Sequence, residues 1–210
     1  MLYIIVGNSG SGKSTLAKDL KDRGYNRIIT YTTRPKRPGE IHGVDYFFID
    51  REEFLKRYNN DEFIGPTKYV GNFYGTLKSD LEKAEKSKNP MIIIVDQNGL
   101  EKIKKLIPKA KCIYLDLDDS TREKRLEIRN ENEETIKKRM KEVFDFSSMC
   151  DYKVSADKSE DHTLNEVLKI IKNSWYKNGR SERIWTSGFM VPNHARYQAA
   201  LHPDMFYILQ

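Results

Sequence analysis

The chain has 210 residues, enough for one substantial core with at most a small appendage. Hydrophobic residues make up 38% and charged residues 32%, with both signs mixed, which excludes a disordered polymer. The longest apolar runs, "IIIV" and "YIIV", are far too short to cross a membrane, while the formal charge of +6 leaves room for either a nucleic acid or a small polyphosphate as partner.

Residues 2–6, "LYIIV", form a continuous apolar run ending at Gly7, the pattern of a buried parallel strand. No basic leader precedes it, so the chain is expected to work in the cytoplasm. A helix is expected over 14–22, with Leu16, Ala17 and Leu20 on one side and Gly24 as its stop. "RIIT" reads as a short second strand. It leads into "TYTTRPKRPGEIHGVDYF", which holds Arg34, Lys36 and Arg37 between two prolines and two glycines and cannot be helix or strand throughout. "YFFI" then reads as a strand, "REEFLKRY" as a short helix, and "KYVGNFYGT" as a hairpin turning near Gly71 and Asn72. This block is expected to be an insertion.

Regular alternation resumes with a helix in "LKSDLEKAEK", a strand in "MIIIVD", a helix in "LEKIKKLI" and a strand in "AKCIYLDL". A long charged helical region is expected over 120–147, then a strand in "YKVSA" and a helix over 162–174 with Leu164, Val167, Leu168 and Ile171 on one face. Strands and helices alternating at these lengths predict an α/β fold with a parallel sheet flanked by helices. Cys112 and Cys150 match no disulfide framework or metal spacing and are read as reduced. Residues 175–210 are rich in aromatics, including Trp175, Tyr176, Trp185 and Phe189, and are expected to be an ordered extension packed on the body or on a second copy, a route to a homo-oligomer.

Residues 7–14, "GNSGSGKS", fit G-x-x-x-x-G-K-[ST] between a predicted strand and a predicted helix, the context that a phosphate-binding loop requires. The backbone N–H groups of Gly7, Asn8, Ser9, Gly10, Ser11 and Gly12, continuing into the helix start at Lys13, Ser14 and Thr15, would cradle the phosphates of ATP. Lys13 would reach the terminal phosphates, and Ser14 would offer its hydroxyl to Mg²⁺.

A phosphate loop alone does not choose between a kinase, a GTPase and a motor. The stretch "TTRPKRPGEIHGVDYFF", followed by "GNFYGT", resembles guanylate kinase, whose pattern runs T-T-R-x-x-R-x-G-E-x-x-G-x-D-Y and then G-N-Y-Y-G-[ST]; the resemblance covers roughly residues 1–173. It implies a P-loop core of 1–29 and 77–174, an inserted monophosphate-binding domain of about 30–76 containing the hairpin, and a helical lid of about 120–147. It further implies that Arg34 and Arg37 grip the phosphate of a nucleoside monophosphate, that Tyr46 and Tyr74 donate to the same phosphate, that Thr30 and Asp96 face its base, and that Thr76 also belongs to the monophosphate site. Arg125, Arg129 and Arg139 resemble the family's lid arginines, although the spacing from Arg129 to Arg139 is one residue shorter than usual. Lys13, Arg34 and the lid arginines are thus the candidate catalytic groups for transfer from ATP to the acceptor, most simply GMP or dGMP. With Arg37 these cations number six, equal to the formal excess of +6, so the charge calls for no nucleic-acid partner.

Two positions depart from the family pattern. The family's base-reading glutamate, nine residues before the second tyrosine, is here Gly65, so base selection is expected to be relaxed or redirected unless Glu62 takes the role. Ile94 stands where an acid that helps orient Mg²⁺ is common, which leaves Ser14 and the ligand phosphates as the expected metal contacts. Two other readings fit parts of the pattern, a catalytically silent protein-binding module and a kinase of phosphorylated sugars. The intact Lys13 and Ser14 argue against the first, and the full set of Arg34, Arg37, Tyr46 and Tyr74 argues against the second.

Overall fold

A computed structural model describes residues 1–69, 71–128 and 133–177. In chain order the elements are β1 (Leu2–Val6), α1 (Lys13–Asp22), β2 (Asn26–Arg27), β3 (Tyr31–Thr32), β4 (Phe47–Phe48), α2 (Arg51–Asn59), β5 (Phe63–Tyr69) and β6 (Asn72–Leu77). They continue with α3 (Lys78–Lys86), β7 (Met91–Ile94), α4 (Gln97–Leu106), β8 (Lys111–Asp116), α5 (Asp119–Ile128), α6 (Glu133–Lys141), β9 (Tyr152–Ser155) and α7 (Glu160–Lys177).

Every residue of β1 is buried because both faces of the strand are covered. Leu2, Ile4 and Val6 pack with Leu81, Leu100 and Ile103 of α3 and α4, whereas Tyr3 and Ile5 pack with Leu16 and Leu20 of α1 and Leu164, Val167 and Ile171 of α7. Two apolar layers around a strand are the reason its sequence is continuous rather than alternating. Pairing is parallel throughout this sheet, in the order β2-β7-β1-β8-β9. The predicted α/β architecture with a parallel sheet is thereby found.

The block between β2 and α3 builds a separate four-stranded sheet in the order β4-β3-β6-β5. Its β5–β6 pair is the expected hairpin, with Tyr69 opposite Asn72, but β5 begins earlier than the hairpin motif suggests, at Phe63. Pro66 is accommodated because the register shifts between Ile64 and Thr67, a bulge at which no ladder N–H is required of it. Phe54 of α2 stacks on Phe63 and Phe73 at centroid distances of 4.5 and 5.4 Å and forms the core of this small sheet.

Three expectations are corrected. The charged region over 120–147 is two helices, α5 and α6, and the second ends at Lys141. The cysteines are joined: Cys112 in β8 and Cys150 just before β9 form a disulfide with Cα atoms 4.6 Å apart. Parallel pairing of β8 with β9 explains the meeting of residues so distant in sequence, and the Asp151 carboxylate reinforces it by accepting from the Cys112 amide at 2.8 Å and from Lys104 and Lys111 at 2.7 and 2.8 Å. The last helix continues past 174 to Lys177, and Trp175 is fully buried rather than part of an appended tail. The remaining extension, 178–210, and the oligomer expected from it lie outside the described residues. No described helix is long and apolar enough to cross a membrane.

Candidate active site

The phosphate loop runs from the end of β1 into α1. A methyl group on Gly7 would lie 2.5 Å from the Ser11 hydroxyl and 2.7 Å from the Leu115 carbonyl, so only glycine lets the loop pass this close to β8. Lys13 Nζ donates to the carbonyls of Gly7 and Asn8 at 2.6 and 2.9 Å, which holds the ammonium against the loop. Gly7, Asn8, Ser9, Gly10, Gly12, Lys13 and Ser14 all line one cavity of ≈ 360 Å³. Ser11 and Thr15 do not; they border a shallow depression on another side of the loop together with Arg125. The Asn8 side chain turns to a neighbour instead, exchanging hydrogen bonds with the backbone of Phe144 at 3.0 and 3.1 Å.

The inserted sheet supplies a second wall of the same cavity, with Arg34, Arg37, Tyr46 and Tyr74. Arg34 is held by both oxygens of Glu40, at 2.6 and 2.9 Å, and its guanidinium carbon lies 5.5 Å from the Tyr46 ring centre and 5.6 Å from that of Phe48. Glu40 also accepts from the Arg37 amide at 2.8 Å, so one carboxylate organises both arginine positions. Burial opposes ionisation of Glu40, but the bonds from Arg34 and the Arg37 amide outweigh it and hold the carboxyl below its usual range. Burial likewise opposes the charge on Arg34, and its bond to Glu40 overcomes that and raises its pKa. For Tyr46, burial and the nearby Tyr74 raise the phenol above its usual range. The two phenols, 6.2 Å apart and edge to face, therefore include a secure donor. Glu40 was not singled out from the sequence, although it stands inside the "PGE" of the motif.

Thr30, Thr76 and Asp96 also line the cavity, where β5 meets the start of α4. Asp96 caps α4, its Oδ1 accepting from the Gly99 amide at 2.8 Å, while its Oδ2 accepts from the Thr67 hydroxyl at 2.7 Å. Gly65 is buried at the bulge with φ of 57°, and a Cβ there would sit 3.2 Å from Gly99 Cα. Glu62 does not replace the missing carboxylate: it pairs with Arg57 at 3.0 Å and is absent from the cavity wall. Ile94 lines the cavity as an apolar group.

Of the three arginines expected on a lid, Arg139 reaches the cavity and donates to the Ser9 hydroxyl at 2.8 Å. Arg125 is turned behind the loop, donating to the Ala156 and Gly10 carbonyls at 2.9 and 3.5 Å, and Arg129 lies outside the described residues. A fourth arginine was missed. Arg122 is fully buried beneath Gly10, pairs with Asp119 at 3.3 Å, and donates to the Met140 carbonyl at 2.9 Å, which ties α5 to the helix that carries Arg139. Its place four residues before the buried Leu126 puts it on the inward face of α5, a periodic signal open to sequence reading. The cavity is completed by Tyr69, Glu142, Phe144 and Phe146. Burial and a hydrogen bond to Glu142 push the Tyr69 phenol up to about 12, and this contact joins the hairpin to the segment after α6.

A phosphate cradle and a separate phosphate grip facing one shared space have room for a donor and an acceptor at once, and on a parallel sheet of this order they define a P-loop phosphotransferase. Comparison with known proteins narrows the class. The protein-family model described as "Guanylate kinase" matches residues 1–174. A guanylate kinase of Fusobacterium nucleatum is 37% identical over 178 residues, covering 82% of this chain and 96% of the relative. One from Carboxydothermus hydrogenoformans is 38% identical over 205 residues, covering 96% and 95%. Among solved structures, the crystal structure of guanylate kinase from Anaplasma phagocytophilum matches with a TM-score of 0.64 over 83% of this chain and 86% of that one, at 20% identity, which supports the fold. The chain belongs to the guanylate kinase family and is an enzyme, a nucleoside monophosphate kinase.

Proposed function

We propose that the enzyme transfers the γ-phosphoryl group of ATP to GMP or dGMP, yielding ADP and the corresponding diphosphate. The observation that carries this reading is the single ≈ 360 Å³ cavity, which is walled by the phosphate loop and also by Arg34, Arg37, Tyr46 and Tyr74. ATP phosphates lie on the loop N–H groups and Lys13, the acceptor phosphate lies under the two arginines and two phenols, and an acceptor oxygen attacks the γ-phosphorus in line. No protein nucleophile takes part, because alignment and neutralisation of charge in a closed site lower the barrier. Arg139 is the lid arginine that stands at the site in this reading, and Arg125 would join it only on lid closure.

Mg²⁺ fits the donor set at the start of α1. No cluster of three or more carboxylate, histidine or cysteine side chains able to hold a metal is found among the described residues, and a small hard cation held chiefly by nucleotide phosphates needs only the Ser14 hydroxyl and water besides. When bound it would neutralise phosphate charge; the chain's own part is to present Ser14 at the first turn of α1. The setting we propose is the cytoplasm, where the nucleotide pools that such a reaction draws on are found.

A second reading, relaxed or redirected base selection, is favoured by one observation: Gly65 brings no side chain to the site. Both readings are tested by coupled ADP release from ATP with GMP, dGMP, AMP, CMP and UMP as acceptors. Stimulation by GMP and dGMP well above the rest supports the first, comparable stimulation by several bases supports the second, and no stimulation above background ATP hydrolysis overturns both.

A further inference from the structure

Resting on the monophosphate-kinase reading, we propose that Thr67 and Asp96 together form a two-acceptor edge that reads guanine in place of the carboxylate that position 65 lacks. Gly65 cannot be the reader, since its backbone is left-handed at φ 57° and a Cβ would press on Gly99 Cα at 3.2 Å. The same bulge that accommodates Gly65 and Pro66 shifts the register so that Thr67 stands opposite Tyr74, one of the two phenols of the phosphate grip. Bulges re-aim side chains in this way. Asn98 steadies the bulge from α4, its amide lying 3.5 and 3.4 Å from the Gly65 and Pro66 carbonyls.

The hydrogen-bond inventory then decides what the edge recognises. A threonine hydroxyl has one hydrogen, and that of Thr67 is committed to Asp96 Oδ2 at 2.7 Å. Toward the cavity, which both residues line, Thr67 Oγ1 can therefore only accept. Asp96 is held in orientation by the Gly99 amide on its other oxygen, at 2.8 Å. Two fixed acceptors 2.7 Å apart result, a spacing slightly wider than that of the two oxygens of one carboxylate. Guanine offers the complement, a ring N–H beside an exocyclic amine. Adenine offers a ring acceptor at the first of these positions and a C–H at the second, so it leaves the edge unpaired. Thr67 is half-buried and Asp96 exposed, so the bound base itself must cover this edge, and an acceptor then left without its donor is what makes the site selective.

The test uses the full chain and compares kcat/KM for GMP and AMP in the wild type, Thr67→Val and Thr67→Ser. Valine keeps the shape of threonine and removes the acceptor. Thr67→Val is expected to lower kcat/KM for GMP about tenfold or more while changing that for AMP less than about threefold, with KM for ATP unaltered. Thr67→Ser, which restores the hydroxyl, is expected to keep the wild-type GMP preference. A GMP-to-AMP ratio unchanged in Thr67→Val, or lost equally in Thr67→Ser, would overturn the assignment. A wild-type enzyme that no monophosphate stimulates would instead overturn the kinase reading beneath it.

Discussion

Glu40 accepts two hydrogen bonds from the Arg34 guanidinium and one from the Arg37 amide, and so fixes both arginine positions on the cavity wall, which it also lines. Glu40→Gln would keep the shape but set an NH₂ against a guanidinium. We expect it to raise KM for the monophosphate about tenfold, with KM for ATP within about twofold of wild type, because a charge-assisted bond contributes roughly 1.5 kcal/mol or more. Steady-state kinetics varying each substrate in turn measure this, and an equal rise in both KM values would show that the effect is structural. Single residues were unevenly legible beforehand. The phosphate loop could be read because its function depends on backbone turns at fixed local spacing, and the arginine and tyrosine positions because the motif around them is long. Glu40's part was not, because what it does depends on a fold-back of the chain that brings its carboxylate onto Arg34, and no periodicity records such a turn.

At the scale of elements, one carboxylate links β8, β9 and α4. Asp151 accepts from the Cys112 amide, Lys104 and Lys111. Burial alone would raise its pKa, but these partners outweigh it and hold it at about 2, against an ordinary 3.8. A carboxyl depressed on folding contributes stability that is fully present above its unfolded value and is lost as pH falls through the folded one. The Asp151 contribution should therefore fall away between about pH 4 and pH 2. Since the group is partly exposed to solvent, its worth is about 1 kcal/mol after screening, a melting shift of roughly 2–4 °C. Thermal unfolding of Asp151→Asn should show that deficit at pH 7 and only a small remnant of it at pH 2; an equal deficit at both would contradict the account. The strands themselves were legible from their apolar runs, since burial on both faces leaves that signature. The Cys112–Cys150 link was not, because it follows from which strands are neighbours in the sheet. The end of the lid helix at Lys141 was missed for a related reason: Asn8 pairs with Phe144 across the molecule and holds the next segment in a non-helical course that helical propensity cannot foresee.

At the scale of the whole molecule, two sheets of different origin in the chain share one cavity, and in the proposed reaction each would bring half of the site. The glycine-rich loop follows the first strand of the parallel sheet, and the inserted block presents Arg34, Arg37, Tyr46 and Tyr74, the acceptor grip of the proposal. Alternation of elements foretold the parallel sheet, whereas of the second sheet only the hairpin and the strand at Phe47–Phe48 were legible. Neither pattern indicated that Tyr69 of the hairpin would meet Glu142 after α6, or that Arg122 would tie α5 to α6, since both are contacts between parts far apart in sequence. Direct transfer across that shared space leaves a stereochemical signature. With GMP as acceptor and ATP made chiral at the γ-phosphorus by oxygen isotopes, a single in-line displacement inverts the configuration of the transferred phosphoryl group. Inversion in the β-phosphate of the GDP formed is the result expected; retention, which requires a phosphorylated enzyme on the way, would contradict it.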